Sequence, residues 1–248
     1  MISVVMPVHD TNINWLHEAV NSVLNQTFQS FEFIIVDNGS RKLETLDYIN
    51  KLQNNSKIKI LRLKYNFGIS VACNIGIKNS QYDYIARMDS DDICFPMRFE
   101  KQFEYMRENS HVDVLGSNCT FMSFENNSWN LKRNTNHPIS IDKKVIDTSL
   151  WFINHPTVMY KKNSVLDIEG YDESLDCIVE DYDLWIRMFH AKKNICNLPD
   201  ILLYYRQHEY SYTKRFRVDQ YKWQRERRDI VLNNKLIKRC TRARITLL

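Results

Sequence analysis

The first ninety residues alternate between short apolar runs and stretches with apolar residues at helical spacing. Val4–Val8 reads as a strand. Asn12 or Asn14 is placed to cap a helix whose stripe is Ile13, Leu16, Val20, Val23 and Leu24. Phe33-Ile34-Ile35-Val36 is apolar without alternation, the pattern of a strand covered on both faces. Leu43, Leu46, Ile49 and Leu52 return at helical spacing, and Ile58, Ile60 and Leu61–Leu63 predict a third strand. A short helix over about 70–78 then precedes a strand at Tyr84–Met88. The order β-α-β-α-β-α-β predicts a parallel sheet with right-handed crossovers.

Pro96, Phe99, Phe103 and Met106 mark a further helix, and beyond it the alternation loosens. Val112–Leu115 and Cys119–Phe124 read as strands, with a turn at Glu125–Ser128. Pro156–Tyr160 and Ile201–Tyr205 read as two more, with a helix from about Glu180 to Phe189 between them. From Arg215 onward the chain reads as helix, with Tyr221, Ile230, Val231, Leu236 and Ile237 among many cations. The fold class expected is α/β: a mostly parallel central sheet flanked by helices, a mixed second half and a basic helical tail. The expected division is one domain over 1–213, with halves at 1–110 and 111–213, and an extension over 214–248.

Composition narrows the chemistry. At 248 residues the chain suits one substantial core. With only 5 glycines it has no Gly-rich phosphate loop, so a nucleotide must be held another way. The six cysteines form no C-x-x-C pair, which argues against zinc or redox chemistry and for buried thiols. The start, Met1 to Pro7, lacks the basic region of a signal peptide, and no apolar run approaches a bilayer span. A reducing, cytoplasmic setting is the expectation. Charge is uneven: residues 214–248 carry twelve Lys/Arg against three Asp/Glu, a net of +9, whereas the rest carries −5. That tail reads as a solvated helical face, as a contact with an anionic membrane surface, or as an oligomer contact.

The strand ends carry the candidate chemistry. In open α/β sheets ligands lie beyond the carboxyl ends of the strands. Pro7-Val8-His9-Asp10 ends the first strand, Asp37 the second, and Asn66 with Gly68 follows the third. Asp37 suits a hydrogen bond from a ribose or base, or simply an Asp-Asn-Gly turn. Met88-Asp89-Ser90-Asp91-Asp92 follows the fourth strand. Three carboxylates in four residues repel one another unless a cation compensates, and a hard divalent ion is the usual one. Arg87 either pairs with Asp89 or meets a ligand phosphate. Glu180-Asp181-x-Asp183 opens a helix, where carboxylates are favoured by the dipole; that dipole is also expected to keep Asp181 ionised as a general base. His208, and likewise His155, is either a packed histidine or a partner of a metal or diphosphate.

The ordered set resembles the family 2 glycosyltransferases, inverting enzymes of the GT-A fold, over about 1–210. The carriers are Val4-Val5-Met6-Pro7-Val8, Ser22 to Thr27, Phe33 to Ser40, Asn66-x-Gly68 with Ala72-x-Asn74-x-Gly76, and Met88 to Asp92. Gly170-Tyr171-Asp172, Glu180 to Trp185 and Tyr205-Arg206-Gln207-His208 complete them. The resemblance implies a nucleotide-diphosphate sugar, by default UDP-linked, bound by Pro7, Val8, His9, Asp10, Asp37, Asn66, Gly68, Arg87, Asp89 and Ser90. It implies Mn²⁺ or Mg²⁺ at Asp91 and His208, and catalysis by Asp181 with Glu180 beside it. The acceptor implied is a glycan or lipid-linked saccharide, with no nucleic acid. The rival readings are a sugar-nucleotide nucleotidyltransferase, whose Gly- and Arg-rich loop has no counterpart at His9-Asp10-Thr11-Asn12, and a non-catalytic nucleotide- or nucleic-acid-binding protein.

Overall fold

The structure is a computed structural model that describes residues 1–125, 127–175, 179–209 and 217–233, with side chains from residue 221 onward in the last stretch. The first half follows the predicted alternation. It comprises β1 (Ile2–Val8), α1 (Ile13–Leu24), β2 (Phe31–Asn38), α2 (Leu43–Leu52), β3 (Ile58–Leu63), α3 (Ile69–Lys78) and β4 (Tyr84–Arg87). Pairings β3–β2, β2–β1 and β1–β4 are all parallel, so four strand ends meet at one edge. Asn12 caps α1, its side chain accepting from the amide of Asn14 at 3.0 Å.

The unbroken apolar run of β2 is explained by cover on both faces. Phe33 and Ile35 pack with Leu16, Val20 and Val23 of α1. Ile34 and Val36 pack with Val71 and Ala72 of α3. Successive strand side chains point to opposite faces, so a strand between two helical layers has no position left for a polar residue.

Beyond β4 come β5 (Ile93–Cys94), α4 (Arg98–Glu108), β6 (Val112–Glu125), β7 (Ser128–Asn134), α5 (Lys143–Thr148), β8 (Met159–Lys161), α6 (Lys162–Leu166), α7 (Glu180–His190), β9 (Asn194–Gln207) and α8 (Arg217–Leu232). The nine strands form one sheet of order β3-β2-β1-β4-β8-β6-β9-β5, with β7 on β6. β8 is antiparallel to both β4 and β6, and β9 is parallel to β6.

Among the boundaries that differ from the sequence reading, three lie in the second half. The two strands expected over 112–124 are one, β6. The polar interruption Ser117-Asn118 stays in the sheet because its groups are satisfied: Asn118 donates to the Pro199 carbonyl at 3.0 Å and accepts from the His137 amide at 2.9 Å. The strand expected at Ile201 begins at Asn194 as β9, with its register jumping across Pro199, which has no amide to give a ladder. The run Pro156–Tyr160 opens as a single 3-10 turn at His155–Thr157 before β8.

The tail helix is present as α8, and its packing is specific. Val231 is buried with the core of α7, and Trp223 packs against it. Leu236 and Ile237, the turn residue Asn126, and Cys177 and Cys240 lie outside the described residues. The other four cysteines are free, three of them buried. Among the described residues no helix is long and apolar enough to cross a membrane.

Candidate active site

A cleft of about 2340 Å³ opens along the carboxyl edge of β1, β2 and β4 and continues to the start of α7 and to β9. Ligand pockets commonly measure about 300–1,000 Å³, so this one has room for two substrates side by side. It brings together Pro7, Val8, His9, Asp10, Asn66, Gly68, Arg87, Asp89, Ser90, Asp91, Glu180, Asp181 and His208. Asp37 lies apart from them. It is buried, accepts from the Ser40 amide at 2.9 Å and sits 3.9 Å from Arg62 Nε. The turn-forming part of its expected role is therefore visible.

On the first three strand ends, several of these residues hold the loops in place. Asp10 has φ 48 and its Oδ1 accepts from the amides of Arg41 and Lys42 at 2.7 and 2.8 Å. Burial opposes its charge, but those two amides hold the carboxyl below its ordinary range. Asn38, which sequence reasoning missed, donates to Asn66 Oδ1 at 3.0 Å and to the Gly68 carbonyl at 3.1 Å. Gly68 then opens α3 at φ 89, a conformation a side chain would strain.

The fourth strand end carries the charge. Asp89, Asp91 and Asp92 present carboxylate oxygens within 4.8 Å of one another. Arg87 is fully buried, lines the cleft and pairs with Asp89, one of the two roles its sequence offers. Burial disfavours the Arg87 cation, yet Asp89 and Cys73 keep its pKa above the ordinary arginine value. Burial and the Asp91 charge push Asp89 upward against Arg87. Burial, then Asp91 and Asp89, lift Asp92 well above the carboxylate range. Asp92 Oδ1 accepts from the Arg206 amide at 2.8 Å, while its Oδ2 is buried without a hydrogen-bond partner. His208 Nε2 lies 2.9 Å from Asp91 Oδ2, and its ring packs 4.5 Å from that of Trp15.

This group fits a hard divalent cation. Its carboxylate donors are all oxygen, they converge, and one buried oxygen has no partner. A bound cation would remove the repulsion that now raises two of the three pKa values. The sequence reading assigned the metal to Asp91 and His208 alone. Asp89 and Asp92 join Asp91 here, and the signal for Asp92 was its place in the acidic run.

The second acidic run divides its carboxylates between two surroundings. Asp183 points inward, where Oδ2 accepts from Arg187 Nε at 2.6 Å and Oδ1 pairs with Arg227 of α8. Arg227 also holds Asp172 at 2.6 Å. Glu180 and Asp181 line the cleft instead. Burial and neighbouring Asp181 push Glu180 up to about 8. Burial also raises Asp181, against the Tyr182 amide that accompanies the helix start. Desolvation is the larger influence on Asp181, and the amide of the helix start opposes it. Asp89 adds to both shifts, so the two acidic groups of the cleft sense each other. His155 is buried, 2.7 Å from the Tyr171 hydroxyl, and burial holds it well below its usual pKa.

With this geometry in view, the comparisons with known proteins decide the family. The family model for glycosyl transferase family 2 matches residues 3–168. The chain belongs to that family. Among curated relatives, it is 36% identical to an O-antigen biosynthesis glycosyltransferase, WbnJ, of Escherichia coli, over 86% of this chain and 82% of that one. It is 31% identical to the amylovoran biosynthesis glycosyltransferase AmsE of Erwinia amylovora, over 76% and 69%. Among solved structures, S. aureus TarS residues 1–349 in complex with UDP superposes with a TM-score of 0.71 at 19% identity, covering 96% of this chain and 67% of that one. That likeness shows the fold: the central sheet flanked by helices is the GT-A fold of TarS. Family 2 membership makes this chain a glycosyltransferase and decides against the nucleotidyltransferase reading.

Proposed function

We propose that this family 2 glycosyltransferase transfers a sugar from a nucleotide-diphosphate donor, UDP-linked by default, to a hydroxyl of a glycan or lipid-linked saccharide, with inversion at the anomeric carbon. The observation that carries the reading is that one cleft holds both the convergent Asp89, Asp91 and Asp92 carboxylates and the buried Glu180-Asp181 pair. A relative at 29% identity is a UDP-Gal:α-D-GlcNAc-diphosphoundecaprenol β-1,3-galactosyltransferase of Escherichia coli, which supports both the donor and the acceptor class.

In this reading the donor lies along the strand edge at Pro7, Val8, His9, Asn66 and Gly68, with Asp37 toward the base or ribose. Asp10, Arg87 and Ser90 hold the loops and the Asp89 carboxylate around it. Asp91, with Asp89, Asp92 and His208, would hold Mn²⁺ or Mg²⁺, which when bound would supply positive charge against the diphosphate leaving group. Asp181 accepts the proton of the acceptor hydroxyl as its oxygen bonds to the anomeric carbon. The bond from that carbon to the diphosphate breaks, and the nucleoside diphosphate leaves with the electron pair. The upward shift of Asp181 suits this task, because a base works best with a pKa nearer the operating pH. Residues 1–110 form the donor half, 111–213 the acceptor half, and the basic extension from 214 onward favours contact with an anionic membrane face on the cytoplasmic side.

Calorimetry of UDP with the full chain tests the donor side. Binding in the presence of Mn²⁺ that is lost on chelation, and lost in Asp91→Ala, is the expected outcome. Equal UDP affinity with and without metal, or in Asp91→Ala, overturns the metal assignment.

A further inference from the structure

The corner of the cleft next to Asp181 contains polar atoms that the fold leaves without partners. Trp185, four residues along α7 from Asp181, is 1% exposed and lines the cleft, and its Nε1 has no hydrogen-bond partner among the described residues. Gln224 of α8 is 5% exposed and lines the same cleft with its Oε1 unpartnered. The Tyr182 hydroxyl is engaged with Arg228 and is not one of them. Buried polar atoms in native proteins nearly always have partners, so two at one corner call for an external one. Their chemistry is mixed: one donor and one acceptor.

The surroundings select among ligands. Trp151 and Tyr221 are 43% and 47% exposed and both line the cleft. Tyr221 precedes Gln224 by three residues and so shares its helix face. Three cations stand nearby. Arg227 pairs with Asp172 and Asp183, while Arg228 Nη1 donates to the Ile146 and Asp147 carbonyls at 3.2 and 3.1 Å. The two cations on α8 are thus committed, and Arg133 lies over the Trp151 ring, 5.7 Å from its centroid. Mixed hydrogen-bonding atoms beside exposed aromatic faces suit a neutral sugar ring, with hydroxyls on its rim and C–H groups on its faces.

We propose that α8 completes an acceptor-sugar subsite, in which Gln224 Oε1 accepts from an acceptor hydroxyl and the Tyr221 ring stacks on the pyranose. This rests on the reading of Asp181 as the base. α8 lies beyond residues 3–168 matched by the family model, so acceptor choice is carried in part by this chain's own C-terminal helix. The Arg227 pair with Asp183, two residues after Asp181, fixes that helix relative to the base.

The test uses the full chain with Mn²⁺, UDP-galactose and UDP-N-acetylglucosamine as donors, and octyl glycosides of glucose, galactose and N-acetylglucosamine as acceptor probes. Gln224→Ala and Tyr221→Ala are each expected to raise the acceptor KM about tenfold, with a smaller change in kcat and with UDP affinity within about twofold of wild type. Tyr221→Phe keeps the ring face and restores the wild-type KM. Where Gln224→Ala fails to fold, the Tyr221 pair, at a half-exposed position, gives the answer alone. Wild-type KM in the alanine variants overturns the subsite. So does a wild-type chain that binds UDP but transfers to none of the probes. A wild-type chain that does not bind UDP overturns the proposed function itself.

Discussion

The two acidic runs of this chain look alike on paper and behave differently in the fold. Asp89, Asp91 and Asp92 sit in a loop after a strand, where the backbone turns quickly enough to aim three carboxylates at one point. Glu180, Asp181 and Asp183 sit in one helical turn, where the two-residue step from Asp181 to Asp183 turns these two to different faces. Asp183 is thereby drawn into buried ion pairs with Arg187 and Arg227, while Glu180 and Asp181 face the cleft. A loop concentrates charge, as a cation requires; a helix start separates it, as a base beside a structural anchor requires. The number of acids in a motif therefore says less about chemistry than the backbone that carries them.

The sharpest way to break this contrast is to remove one charge from each face of α7. Asp181→Asn keeps the shape and removes the proton acceptor. Transfer is expected to fall by about 10²- to 10⁴-fold, the usual worth of a positioned base. UDP affinity and melting temperature should stay near wild type. Turnover similar to wild type would discard Asp181 as base, and the cleft-facing half of the comparison with it.

Much of the first half was legible because its determinants are local. Alternating periodicity fixed four parallel strands, and parallel strands place their carboxyl ends on one edge whatever lies between. Asp91, Asn66 and His9 needed no tertiary information to be brought together there. The second half was less legible because its polar interruptions are satisfied at long range. Ser117-Asn118 reads as a break between strands until Pro199 and His137 supply partners from elsewhere in the chain. Asp183 likewise reads as a third member of the base motif, and nothing near it in sequence reveals Arg227. Gln224 had no signal at all: a polar residue among cations on a helix face looks solvated until the helix is docked.

Stability should reverse the order of the two α7 acids. Asp183→Ala strands two guanidinium groups in buried surroundings, and removing one partner of a buried pair costs about 3–5 kcal/mol. That is a large share of the roughly 5–15 kcal/mol that holds a domain together. Denaturant titration of Asp183→Ala beside Asp181→Asn measures the difference directly. The comparison stands if Asp183→Ala shifts the midpoint strongly and Asp181→Asn barely does. It fails if the two shift alike, because then the inward and cleft-facing carboxylates are energetically equivalent.

The smallest effect is a slope. Glu180 sits at about 8 in the folded chain, raised by burial and by Asp181. An unfolded glutamate titrates near about 4.3. Between these values the native state keeps a proton that the unfolded chain has lost, so Glu180 makes the fold less stable as pH rises from about 4.3 through about 8. Asp172 works in the opposite sense. Burial alone would raise it, but Ser174 and Arg227 hold it below its ordinary range, so its contribution is present at neutral pH and fades on acidification. Melting curves in metal-free buffer at about pH 3 reach the Asp172 limb, and those at about pH 5 and about pH 8 span the Glu180 interval. Glu180→Gln should lose less stability than wild type over that interval, because it carries no proton to release, whereas the acid limb governed by Asp172 should remain. An unchanged interval in Glu180→Gln would mean that the cleft tolerates a charged Glu180 as readily as water does, and that the helix start, not burial, governs this pair.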